Sequence, residues 1–436
     1  MSLYDAVLLK KKGESYSLAS PSKVQGAAMV MDVASGEVLA VSGGFSAGPF
    51  GIFAQNNRAT RSLLQPGSTV KPFTYLYALN KGVQPNTQLG NYQISFPRIP
   101  GCGFSWTPAN YSGGGGSLPM SRALESSVNR SFLNLFVKLT GIDHNRRGSI
   151  NLLGASEGDK EKLQSTFSDV YQFAAQLGAF PELQNLGRRP KPCLPWLIGG
   201  YETTLMNMTQ AYASLANGGL SRKASFLNEV LKGGRPLLVN RAREHKRQVE
   251  QYRYALENDL VRSPEAFGVL SGLKPQAVAQ LRSLMSGIVS RGTARRIKKW
   301  EGLVAGKTGT TNNSKDVWFA GFNSRVAVVV WVGYDNTKDY ASLGSSSTGA
   351  SLALPLFEKI MTSYYELYPE ALNEPLPNPL RTPGLVEQFV QPRSGKLVRD
   401  FRGRSCKRSS ASAIPMYFLE EDVVSRRSLN CGPLEN

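Results

Sequence analysis

The stretch "LLQPGSTVKPF", residues 63–73, sets Ser68 three residues ahead of Lys71 and crowds Pro66, Gly67 and Pro72 around them. Pro-Gly forces a turn, and a proline just inside a helix start has no amide hydrogen to lose. The spacing predicts a helix that begins at this turn, with Ser68 and Lys71 on one face. "STVKPFTYLYALNKG" continues it with Phe73, Leu76, Tyr77 and Leu79, and Gly82 supplies the stop. A hydroxyl beside an amine at a helix N-terminus is a nucleophile beside a candidate base.

Outward from that helix, 27–32 ("AAMVMD") and 37–42 ("EVLAVS") read as a β-hairpin. Residues 83–120 are rich in Gly, Pro, Asn and Ser and read as long loop. Residues 121–140 read as helix, a break at "SSVN", then helix. The polar stretch 142–200 predicts a helix over 159–177. In 202–219, Leu205, Met208, Tyr212 and Leu215 fall at helical spacing before a Gly-Gly stop. Residues 220–262 are charged and weakly patterned, which reads as surface. "PQAVAQLRSLMSGIVS" (275–290) puts Val278, Leu281, Met285 and Ile288 on one helix face. Three β-rich runs follow, 302–311, 316–322 and 325–334, continuous enough to suggest strands covered on both faces. A last helix fits 354–367, and prolines then mark a linker. Together these elements suggest one mixed sheet with helices on both faces.

The chain has 436 residues, 51 Lys+Arg against 32 Asp+Glu, and four cysteines. It holds no zinc-finger spacing and no RNP-like aromatic motif, so the charge alone does not argue for nucleic acid. An anionic membrane surface or polymer fits it as well. No CxxC pair occurs, which argues against a zinc site. Cys406 and Cys431 frame a short tail segment and are expected to pair, as a staple for a small core. Cys102 with Cys193 is a second possible pair. No run long enough to span a membrane and no signal peptide is visible. Met1-Ser2-Leu3 reads as an expression remnant, so a longer natural N-terminus is expected.

Two further motifs lift Ser68-x-x-Lys71 above the second Ser-x-x-Lys at Ser20–Lys23. "SSVN" puts Ser127 and Asn129 in the polar break between helices. "GKTGTT" puts Lys307, Thr308, Gly309 and Thr310 on a strand. Ser-x-x-Lys, Ser-x-Asn and Lys-Thr-Gly in that order resemble the serine β-lactam-reactive enzymes. Acyl transfer needs a nucleophile, a base, a proton donor and an oxyanion hole. Ser68 would attack; Lys71, desolvated and near the Lys307 charge, would be the base. Ser127 would relay the proton, and Asn129 would hold substrate and orient Lys71. The N–H groups of Ser68 and Thr310 would form the oxyanion hole. Lys307, Thr308 and Thr310 would bind a carboxylate, with Gly309 leaving room for a ligand backbone. The two histidines, His144 and His245, lie in polar segments and read as exposed surface residues, so a histidine triad is not expected.

Longer stretches resemble the transpeptidase domain of class A penicillin-binding proteins. They include "VQGAAMVMDVASGEVLAVSGGF", "NRATRSLLQPGSTVKPF", "WTPANYSGGGGSLPMSRALESSVN", "SRGTARR" and "GKTGTTNNSKDVWFAGF". The resemblance implies an α+β fold with a mixed, mainly antiparallel central sheet and helices on both faces. It implies a transpeptidase domain 25–367 after a segment 1–24; strand signals alone mark a small β-rich appendage 368–436. The resemblance further implies a serine D,D-transpeptidase that cross-links peptidoglycan stem peptides, is acylated by β-lactams and needs no metal or organic cofactor. Cell-wall synthesis proteins are implied partners; nucleic acid is not. An extracytoplasmic place beside the membrane, anchored by an N-terminal segment, is also implied. Nothing in the chain resembles the glycosyltransferase half of that class. The span from Ser127 to Lys307 looks longer than usual, with the excess assigned to 142–166 and 220–262. A D,D-carboxypeptidase, a β-lactamase and a β-lactam sensor remain the alternatives.

Overall fold

A computed structural model of the chain describes residues 9–12, 15–18, 24–44, 56–99, 103–110, 113–143, 149–181, 192–227, 229–239, 241–335, 342–399, 413–423 and 429–430. The sheet strands are β1 (Val24–Asp32), β2 (Val38–Ser42), β3 (Ala305–Thr310), β4 (Asp316–Phe322) and β5 (Val326–Tyr334), of which β5 runs almost wholly apolar. They make one sheet in the order β3-β4-β5-β1-β2. All four pairings are antiparallel, so the mainly antiparallel sheet expected from the sequence is antiparallel throughout. The first hairpin joins the sheet through β5, with Asp32 opposite Val326 and Val24 opposite Tyr334.

The helices are α1 (Lys71–Asn80), α2 (Met120–Glu125), α3 (Asn129–Leu139), α4 (Glu157–Gln176), α5 (Leu205–Ala216), α6 (Ala242–Glu257), α7 (Pro275–Ser290) and α8 (Leu354–Leu367). Every residue of β4 is buried, as a strand covered on both faces requires. Phe319 meets Phe357 of α8 at 4.5 Å between ring centroids, and Phe322 meets Tyr212 of α5 at 6.4 Å. Residues three apart on a strand point to opposite faces, so α5 and α8 cover opposite sides of the sheet.

Three expectations need correction. Residues 220–262 are more than charged surface: they hold a hairpin (Glu229–Lys232 with Arg235–Val239) and the helix α6. Ala242, Val249 and Tyr252 form the buried stripe of α6, too sparse among charges to show as a periodic pattern. The loop 83–120 contains short strands at Gln88–Gly90 and Ser117–Pro119, which pair with each other. His245 is half-buried rather than exposed, its Nδ1 lying 3.2 Å from the Ser35 carbonyl oxygen. His144 lies outside the described residues.

Beyond α8, Leu385–Val390 pairs with Ile414–Leu419 around a separate cluster of Val390, Met416 and Phe418. Cys193 is disulfide-bonded. The expected Cys406–Cys431 pair lies outside the described residues. Among the described residues no helix is long and apolar enough to cross a membrane.

Candidate active site

Gly67–Val70 form one 3-10 turn that leads directly into α1, with Pro72 in its first turn. Gly67 has φ +53°, and a Cβ there would lie 2.8 Å from the Thr310 carbonyl oxygen. A Cβ on Gly309 would lie 2.5 Å from the Pro66 carbonyl oxygen and 2.9 Å from Thr69 Cγ2. The two glycines therefore let the turn lie flat against β3. On the side where a Cβ would stand, Pro66 and Thr69 fill the space beside Gly309. Three hydrogen bonds fix the turn: Thr69 Oγ1 to Pro66 O (2.7 Å), Tyr212 Oη to Thr69 O (2.8 Å) and Trp318 Nε1 to Gln65 O (2.7 Å). Ser68, half-buried, faces a cavity of about 910 Å³.

Lys71 is fully buried. Its Nζ donates to Asn129 Oδ1 at 2.7 Å and to the Ser127 carbonyl oxygen at 2.8 Å. Burial, and after it the charge of Lys307, pull the Lys71 pKa well below the ordinary lysine value. Lys307 is equally buried, and burial lowers its pKa to about 7. Its Nζ donates to Ser127 Oγ at 2.8 Å and to Thr308 O at 2.9 Å. Ser127 is thus held by both lysines, one on its carbonyl and one on its hydroxyl. It sits between α2 and α3 with φ +57°, a left-handed conformation that costs a non-glycine residue about 1–3 kcal/mol.

Thr308 Oγ1 is 2.8 Å from Thr293 Oγ1, and Thr310 Oγ1 accepts from the Gly349 N–H at 3.1 Å. Ser68, Ser127, Asn129, Thr293, Thr308 and Thr310 all line the cavity. Lys71, Lys307 and Gly309 are outside its lining. The structure thus gathers the three motifs, from 240 residues of chain, into one wall. Two residues escaped the sequence reading. Thr293 carried only the signal of "SRGTARR", noted without a role. Behind it, the buried carboxylate of Glu125 accepts from Arg291 Nη2 at 2.7 Å, and the Glu125 carbonyl accepts from Thr293 N at 3.1 Å. Burial raises the Glu125 pKa, opposed by Arg291 and Arg122. No cluster of metal-ligating side chains occurs among the described residues.

Residues 26–362 match the penicillin-binding protein transpeptidase domain. The chain belongs to that family. Penicillin-binding protein 1A of Rickettsia conorii is 30% identical over 364 residues, covering 83% of this chain and 41% of the relative. Its counterpart in Aquifex aeolicus is 30% identical over 349 residues, 79% of this chain and 39% of the relative. The chain therefore spans less than half the length of these curated relatives. Among solved structures, penicillin-binding protein 1A from Haemophilus influenzae superposes with a TM-score of 0.64 at 22% identity, covering 94% of this chain and 55% of that one. PonA1 from Mycobacterium tuberculosis, solved in complex with penicillin V, gives 0.55 at 21% identity, with 79% of each chain covered. Both likenesses confirm the family fold seen here.

Proposed function

We propose that the chain is a serine D,D-transpeptidase acting on peptidoglycan stem peptides, with Ser68 as the nucleophile that β-lactams acylate. The observation that carries this reading is the buried amine of Lys71, held by Asn129 Oδ1 and the Ser127 carbonyl beside the Ser68 turn. A neutral amine has two N–H bonds and one lone pair. With both N–H bonds donated, the lone pair is left for the Ser68 hydroxyl proton.

In the proposed reaction Ser68 Oγ bonds to the carbonyl carbon of the penultimate D-alanine while its proton passes to Lys71. The tetrahedral oxyanion sits on the N–H groups of Ser68 and Thr310. Ser127 gives its proton to the departing D-alanine amine and regains one from protonated Lys71, while Lys307 holds the Ser127 hydroxyl in place. An amine of a second stem peptide then attacks the acyl-enzyme and regenerates Ser68. Lys307, Thr308 and Thr310 hold the substrate carboxylate; Asn129 holds its amide. No step calls on a metal. The domain division 25–367 and 368–436 belongs to the same reading. So do cell-wall synthesis partners and an extracytoplasmic location beside the membrane.

A hydrolase needs a carboxylate or equivalent base to activate water at the acyl-enzyme. No aspartate or glutamate lines the cavity among the described residues, which favours an amine acceptor over water. Incubation with labelled penicillin, intact mass and peptide mapping test the reading. One adduct per chain on Ser68 is expected. An adduct elsewhere, or none, would overturn it.

A further inference from the structure

A second cavity, of about 440 Å³, lies among α6, α7, the end of α5 and residues 373–382. It shares no lining residue with the Ser68 cavity. Arg282, on α7, is only 8% exposed. Its Nη1 donates to the Ala216 carbonyl at 3.1 Å, at the C-terminus of α5, while its Nε has no hydrogen-bond partner. Around the same cavity, Arg253 Nη2, Tyr252 Oη and Asn217 Oδ1 are also buried without a partner among the described residues.

Buried cations normally come with a carboxylate, because desolvation is costly without one. Here the carboxylates on the cavity wall also act on Arg253, but each is paired with another arginine. Glu374 pairs with Arg325, and Glu257 with Arg381. The charge of Arg253 adds to the cost of keeping Arg282 ionised. Leu256, Pro375, Leu376 and Pro377 supply the apolar part of the lining. The volume exceeds what one inorganic ion needs and falls in the range of small-molecule sites.

We propose that this cavity binds a small organic anion, its phosphate or carboxylate head on Arg253 and Arg282 and its apolar body against the proline-rich wall. The site exists because α6, the helix hidden in the charged insertion, brings Tyr252 and Arg253 to the same cavity as Arg282 of α7.

Phenyl phosphate is the probe, titrated calorimetrically into the whole chain at constant ionic strength, with inorganic phosphate and benzyl alcohol alongside. One saturable site per chain is expected, with phenyl phosphate tighter than either partial probe. Arg253→Gln should weaken it at least tenfold. Tyr252→Phe, which removes a hydroxyl that has no partner and so spares the fold, should weaken it a few-fold. Penicillin acylation beforehand should leave binding unchanged. Absence of saturable binding, equal affinity in both variants, or loss on acylation overturns the proposal. Binding seen only with vesicles containing phosphatidylglycerol would assign the site to a membrane headgroup and overturn it as well.

Discussion

Lys71 carries the greatest burden of any single residue. Its amine is useful as a base because burial and Lys307 both disfavour its protonated form. Lys71→Ala should fold, as judged by circular dichroism, yet acylate about 100- to 10,000-fold more slowly, the usual cost of losing a general base. Acylation within a few-fold of the parent chain would move the base elsewhere. The sign of a second effect follows from the charge. Removing a neighbouring cation in Lys307→Ala raises the Lys71 pKa, so the acid limb of the acylation pH profile should move to higher pH. The limb should move little relative to its distance from an ordinary lysine, because burial is the larger cause. At this scale the sequence was legible wherever spacing along one element decided the outcome. Ser68 and Lys71 share a turn, Ser127 and Asn129 a helix break, Lys307 and Thr308 a strand. Thr293 and Glu125 were not legible, because each acts through a contact made across the fold.

Between elements, the decisive contact is the seam where the Ser68 turn rests on β3. Gly309→Ala would bring a Cβ to 2.5 Å from the Pro66 carbonyl oxygen, which must move away. Overpacking of this kind costs about 1–3 kcal/mol, read as a lower urea midpoint. Acylation should fall at least tenfold with it, because the turn carries Ser68. A loss of stability without a loss of acylation would show that the seam does not position the nucleophile. One strand away, Asp316 starts β4 and accepts from Trp331 Nε1 at 2.8 Å. Burial raises its pKa to about 6 from an ordinary 3.8. Between those values the folded protein holds a proton that the unfolded chain has lost, so this group makes stability fall as pH rises through about 6. Asp316→Asn keeps the acceptor for Trp331 and removes the titration. Melting scans should show a flatter profile over that window and a gain at pH 7 of up to about 3 kcal/mol. An unchanged profile would locate the titration elsewhere. Strands such as β5 were legible from their apolar runs; α6 was not, since three buried positions among charged ones leave no period to count.

For the whole molecule, the acyl-enzyme is the test of what the cavity is for. With no carboxylate on the cavity lining among the described residues, the penicilloyl-enzyme should persist for hours by intact mass, and thioester turnover should rise when a D-amino acid is added. Rapid deacylation indifferent to added amine would point to a hydrolase. One mixed sheet with helices on both faces could be read from the order of patterned segments; its mainly antiparallel character came only with the family resemblance. The tethering of the tail to that body could not. Gln280 Nε2 donates to the Tyr417 carbonyl and Gln276 Nε2 to that of Pro383, contacts that depend on distant parts of the chain meeting. The register of β1 against β5 has a further consequence, one of timing. The hairpin at 24–42 pairs with residues 326–334, the last strand of the sheet to be synthesised. Until the ribosome has delivered Tyr334, β1 has an open edge of backbone donors and acceptors and no native partner there. Such non-local pairing is slow to form and exposes the waiting strand to the wrong neighbours. A nascent chain of this protein therefore carries the first strand of its main sheet unfinished through everything made between Asp32 and Val326, and the sheet can close only after β5 has emerged.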